Sequence, residues 1–272
     1  MKTFLAAVSC FCFSIAAEVD ACSVVYYQDP ATKKVYVANN EDYWYATKPY
    51  LQIQPKSANE HARLWYGWND FAQGGVNAAG LFFDGAATPK QKTPAGYGKA
   101  KGNLGDAILA NCATVEQALA YIEKRKVAVP DGHIMLGDKT GKAVVVEWVD
   151  GQKKLSWSRD NTLIMTNFLL ADTSKGNYPC YRYATIKKYI EDLQQSKKSV
   201  DLKTVGNALG KAVQLPKADP QGKVGGTLYS SFVNLTEGEF VLVYKLDNRK
   251  TTRLDLKKEF EKPHKQKIQL ND

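Results

Sequence analysis

Histidine is scarce in this chain: His61, His133 and His264 are the only three in 272 residues. None stands in a recognisable cysteine-protease context, so the sequence offers no papain-like Cys/His pair. Beyond the first twenty residues there is no long apolar run, and nothing there reads as a stable membrane insertion. Arginine-rich blocks, zinc-finger spacings and RNA-binding aromatic signatures are also missing. The formal net charge of +9 is spread over scattered basic residues, which fits a solvated basic surface and argues against a nucleic-acid partner. No internal repeat is present, and no linker demands a domain boundary.

What is present begins with a short leader. Phe4 to Ala17 is almost wholly apolar but short for a membrane span, and Val19 and Ala21 suit a signal peptidase cutting after Ala21. The expectation is a signal peptide over residues 1–21, a single domain over 22–272, and export to a periplasm or the extracellular space. Cys10 and Cys12 leave with the leader, while Cys22, Cys112 and Cys180 stay. Cys112 and Cys180 could form a disulfide or remain buried thiols. Cleavage after Ala21 would give Cys22 both a thiol and a free α-amine. An α-amine has a pKa of about 7.7–8.0, so one residue could supply nucleophile and base. Two other readings of Cys22 stay open: a lipid anchor, which Asp20 suits poorly, and an ordinary residue near the chain start.

Alternating and β-branched runs predict strands at 23–27, 35–38, 62–66, 81–83, 133–136, 143–149, 153–158, 162–166, 227–235, 239–246 and 251–256. Helical spacing predicts helices at 104–111, 115–126, 181–195 and 200–213, with Thr114 and Gln117 placed for a capping box. Gly74-Gly75 reads as a break and 89–102 as a loop. Blocks of strands and helices in this order argue for an α+β fold with antiparallel sheets.

Several short motifs occur in a fixed order: Cys22-Ser23 opening a hairpin, Asn39-Asn40-Glu41-Asp42-Tyr43-Trp44, Gly74-Gly75-Val76-Asn77-Ala78-Ala79-Gly80-Leu81, Met165-Thr166-Asn167-Phe168-Leu169, Cys180-Tyr181-Arg182-Tyr183-Ala184 and Thr227-Leu228-Tyr229-Ser230-Ser231. In this set the chain resembles the N-terminal-nucleophile linear amide C–N hydrolases. That group includes choloylglycine hydrolases, penicillin V acylases, acid ceramidase-like amidases and acyl-CoA:6-aminopenicillanate acyltransferases. The resemblance implies a four-layered αββα sandwich and a cysteine thioester mechanism with no metal or organic cofactor. By the same resemblance Cys22 would attack the amide carbonyl and Asp42 would orient its α-amine. Asn77 and Asn167 would donate to the oxyanion, and Arg182 would lie beside the thiol. Each of the last four has a plainer role open to it: a turn cap for Asp42, a left-handed turn position for Asn77, a strand end for Asn167, a surface site for Arg182. One position departs from the choloylglycine hydrolases, where an arginine usually stands three residues before the aspartate; here it is Asn39.

The expected reaction is hydrolysis of a linear non-peptide amide, such as an N-acyl amine, an N-acyl amino acid, or a bile-salt-like or penicillin-like side chain. A dipeptidase of the same nucleophile type and a non-catalytic, lipid-anchored envelope binding protein are the alternatives. The expected partner is a small-molecule amide, and a homo-oligomer is compatible with the sequence. Seven aromatic residues between Tyr43 and Trp68 either wall an acyl pocket or pack the sheets. The basic balance leans towards substrates bearing a carboxylate.

Overall fold

In the computed structural model, residues 22–196 and 198–271 are described; the expected signal peptide lies outside them. Two antiparallel sheets form the centre. The first runs β10 (Thr162–Met165), β1 (Ser23–Gln28), β2 (Val35–Trp44), β12 (Val224–Asn234), β13 (Glu239–Tyr244) and β14 (Thr251–Asp255), with the short β11 (Lys217–Ala218) on β12. The second runs β15 (Gln266–Gln269), β3 (Tyr50–Gln54), β4 (Arg63–Trp68), β5 (Phe71–Asn77), β6 (Leu81–Ala87), β7 (Gly132–Asp138), β8 (Ala143–Val149) and β9 (Gln152–Trp157).

Strand alternation builds the layers. In β1, Val24 and Tyr26 enter the core between the sheets, while Val25 and Tyr27 face outward. The outward side is covered by α3 (Tyr181–Ser196) and α4 (Leu202–Gly210), through Ile186, Ile190, Val205 and Leu209. The second sheet is covered likewise by α1 (Leu104–Asn111) and α2 (Val115–Lys124), through Ile108, Leu109, Val115 and Ile122. Because helices cover the outer faces, the inner strands are apolar on both sides, which is why they read as continuous runs. The result is the αββα order expected. The last helix, α5 (Leu256–Glu261), lies at the rim. Among the described residues no helix is long and apolar enough to cross a membrane.

Several local readings are met. Thr114 caps α2 by accepting from the Gln117 amide, and the Gln117 side chain returns to the Ala113 N–H. Asp150-Gly151 joins β8 to β9 with both residues at positive φ. Other readings needed correction. Gly74-Gly75 does not break the chain but lies inside β5. A Cβ on Gly74 would come 2.5 Å from the Tyr66 ring, so glycine there serves close packing between strands. Strands β3 and β15 and helix α5 carry weak local signals and were not anticipated. Cys112 and Cys180 are both free thiols, so the disulfide alternative is not realised.

Candidate active site

The β1–β2 hairpin positions Cys22. Asp29 closes its turn, accepting from the N–H groups of Ala31 and Thr32 and from the Thr32 hydroxyl. This fixes the register at Ser23 opposite Asn40. One position further, Glu41 faces Cys22, and the thiol donates to Glu41 Oε1 at 3.3 Å. Asn39 Nδ2 reaches the other Glu41 oxygen at 3.5 Å, and Asn39 Oδ1 accepts from the Ser231 hydroxyl at 2.6 Å. Cys22, Asn39, Glu41 and Ser231 are all buried. Burial pushes the Cys22 thiol well above its ordinary pKa, and the nearby Glu41 and Asp42 carboxylates push it further. With its amino group still joined to Ala21, the nucleophile is therefore held as a neutral thiol.

Arg182 comes from the first turn of α3 and is buried. Its Nη1 donates to the Cys22 carbonyl at 2.8 Å and to Ser23 Oγ at 2.9 Å, and its Nη2 donates to Asn167 Oδ1 at 2.9 Å. The guanidinium thus grips the backbone of the nucleophile and the Asn167 amide; none of these bonds goes to the thiol. Asn167 Nδ2 donates to Ala87 O at 2.9 Å, at the end of β6. Asp42 Oδ1 accepts from Thr227 Oγ1 at 2.5 Å. Asp42 Oδ2 is buried without a hydrogen-bond partner among the described residues, with Arg182 Nη1 3.8 Å away. Burial raises the Asp42 pKa to about 7, against the lowering effects of Thr227 and Arg182.

Cys22 opens onto a cavity of about 320 Å³ between the sheet ends and the start of α1. Tyr43, Trp68 and Phe71 line it on one side and Phe83, Leu104 and Val129 on another. Tyr43 and Trp68 stack with ring centroids 4.6 Å apart. The aromatic segment therefore divides its work: Tyr43 and Trp68 wall the cavity, whereas Tyr66 and Trp65 belong to the core.

The structure brings Cys22, Asp42, Asn167 and Arg182 together and does not bring Asn77 to them. Both Asn77 amide N–H groups are taken, by Leu109 O and Cys112 O at 2.7 Å each. Its Oδ1 accepts from the Ala79 and Leu81 amides. Asn77 thus closes the β5–β6 turn and ties it to the outer helices, on the face of the sheet away from Cys22. The oxyanion role expected of it does not fit this geometry.

Four contributors were not assigned a role from the sequence: Glu41, Thr227, His133 and Glu147. Glu41 could have been found by counting hairpin register from the Asp29 turn. Thr227, opposite Asp42 in the β2–β12 ladder, opens one of the motifs quoted above, but nothing local to it points to Asp42 as its partner. His133 and Glu147 extend the β7–β8 register, where Ile134 faces Val146. His133 Nδ1 lies 2.9 Å from Glu147 Oε1, and its Nε2 donates to Thr166 O at 2.6 Å. Glu147 also accepts from the Leu170 and Ala171 amides at 2.7 and 2.8 Å. This pair bridges the second sheet to the loop that carries Asn167.

Comparison with known proteins places this geometry. The family described as acyl-coenzyme A:6-aminopenicillanic acid acyl-transferase matches residues 29–239. That stretch contains Asp42, Asn167 and Arg182; Cys22 precedes it. Among solved structures, penicillin V acylase from Agrobacterium tumefaciens superposes with a TM-score of 0.71 at 19% identity, over 90% of each chain. A variant of conjugated bile acid hydrolase from Clostridium perfringens gives 0.76 at 16% identity, over 92% of this chain and 97% of that one. An N-acylethanolamine-hydrolyzing acid amidase ortholog from Caenorhabditis elegans gives 0.53 at 13% identity, over 79% and 93%. At these identities the likeness concerns the fold. Among curated protein sequences none matches this chain.

Proposed function

The chain belongs to the acyl-coenzyme A:6-aminopenicillanic acid acyl-transferase family, and from that premise we propose that it is an exported hydrolase of linear amides acting through a Cys22 thioester. The observation that carries this reading is the meeting of Cys22, Arg182 and Asp42. Arg182 fixes the Cys22 carbonyl at 2.8 Å, and an unpartnered oxygen of Asp42 lies buried beside the same guanidinium. A free α-amine on Cys22 would provide the donor that this oxygen lacks.

Release of that amine also solves the problem of the neutral thiol. The Sγ proton passes to the amine nitrogen as sulfur attacks the amide carbonyl. The resulting ammonium sits near Asp42, and the carbonyl oxygen becomes an oxyanion. Asn167, tied through Arg182 to the Cys22 carbonyl, is the amide donor assigned to this oxyanion, and a well-aimed donor of this kind contributes about 3 kcal/mol. The C–N bond then breaks and the ammonium returns its proton to the leaving amine. Water attacks the thioester with the amine again as base, releasing a carboxylic acid and restoring the thiol. An amine entering in place of water would give acyl transfer by the same route.

The reading is tested with two forms of the protein, one starting at Cys22 and one retaining Ala21 ahead of it. Tested on a panel of N-acyl amides and dipeptides, only the first should be active, and on N-acyl amides. Equal activity of both would remove the α-amine from the mechanism, and cleavage of dipeptides alone would favour the dipeptidase.

A further inference from the structure

The chain is basic overall, yet the cavity at Cys22 is not. Three carboxylates line it: Glu41 and Asp42 in the floor and Asp131 exposed at the mouth. Among the described lining residues there is no lysine or arginine. Arg182 is bonded to Cys22 O, Ser23 and Asn167, lies 3.8 Å from Asp42, and lines a second groove with Tyr178 and Tyr181. His133, also in the lining, is paired with Glu147. The remaining lining includes the aromatic side of Tyr43, Trp68 and Phe71.

In the floor Arg182, 3.8 Å from Asp42, and the freed Cys22 α-amine offset the two carboxylates. At the mouth a carboxylate or sulfonate would lose water and face Asp131, with no lysine or arginine in the described lining to receive it, an arrangement that disfavours an anionic ligand. An aromatic wall beside carboxylates has the opposite effect on a cation, since the ring faces and the carboxylates both attract it. The acyl group is the part of the substrate that stays bonded to Sγ, so it is the part this cavity holds. Resting on the proposed amide hydrolysis, the geometry points to a preference for acyl groups with an apolar or aromatic body and a neutral or cationic end, and against anionic ones. This replaces the lean towards carboxylate-bearing substrates that net charge suggested; overall charge describes the outer surface and not the cavity.

Binding and turnover are measured separately. Three N-ethyl phenylacetamides, carrying a 4-aminomethyl, a 4-methyl or a 4-carboxymethyl group, are titrated calorimetrically into the Cys22→Ala protein starting at residue 22. The cationic and neutral amides should bind at least about tenfold more tightly than the anionic one. Asp131→Lys should narrow that ratio. Equal or tighter binding of the anionic amide, or no measurable binding of any of the three, overturns the inference. Turnover of the same amides by the protein with Cys22 intact reports on the reaction. If none is cleaved while the binding order holds, the hydrolase reading fails and the cavity preference stands.

Discussion

At Cys22 two demands oppose each other: a nucleophile must ionise, and this one is buried beside two carboxylates. Burial and Glu41 hold the thiol neutral, so the side chain is silent until a base appears next to it. Glu41→Gln removes one of the charges that oppose ionisation. The thiol pKa should fall, and alkylation of Cys22 by iodoacetamide should shift to lower pH; an unshifted profile would show that Glu41 does not govern the thiol. Asp42 gives a second prediction with a definite sign. In the form retaining Ala21 its folded pKa is raised from 3.8 to about 7 by burial. A raised carboxylate adds stability that is fully present below the unfolded pKa and lost as pH rises through the folded one. Stability should therefore drop between about pH 4 and 7, by at most about 4 kcal/mol. Asp42→Asn should flatten that drop. A free Cys22 ammonium beside Asp42 should flatten it too, and thermal unfolding at pH 5 and pH 8 compares all three proteins. At this scale the sequence was informative about residue types and poor on partners. Cys22, Asp42, Asn167 and Arg182 stood out and meet in space. Asn77 stood out equally and does not, because the short motif around it also encodes a turn whose carbonyls and amides use up its side chain.

Among the elements, the β1–β2 hairpin and the β7–β8 pair place the site from opposite sheets. The first puts Glu41 across from Cys22; the second sends His133 and Glu147 to the loop after β10. Four hydrogen bonds converge there, the two made by His133 fully buried and the two from the Leu170 and Ala171 amides partly so. His133→Leu leaves the Thr166 carbonyl and Glu147 without that partner, at a cost of about 3 kcal/mol. Urea unfolding should show this loss. Turnover should fall with it as Asn167 loses its support, while the Michaelis constant changes little. Loss of stability with unaltered turnover would mean that the pair serves the fold alone. Gly74→Ala should cost about 1–3 kcal/mol by crowding Tyr66 and Asp84, a loss measurable in the same assay and absent if Gly74 were merely a loop residue. Element types with strong periodicity or caps were legible: the helices after Asn103 and Thr114, the strands joined at Asp150-Gly151. β3 and β15 were not, because they pair across a long interval in sequence, where no local turn announces the partner.

For the whole molecule, the two sheets enclose a core that runs into the floor of the site, and helices cover both outer faces. That αββα layering was legible from block order together with the family resemblance. The cavity's acidity was not, since it depends on which of many charges the sheets turn inward. Proposed export has a chemical meaning in this arrangement: removal of residues 1–21 would create the base that the buried thiol lacks. The most direct measurement is the intact mass and peptide map of the protein starting at Cys22 after rapid quenching from a reaction with an N-acyl amide. The expected result is one acyl group on the N-terminal Cys22 peptide, released by hydroxylamine and not formed when Ala21 remains attached. An acyl group on another residue, or acylation of Cys22 that proceeds equally with Ala21 in place, would contradict the proposed mechanism.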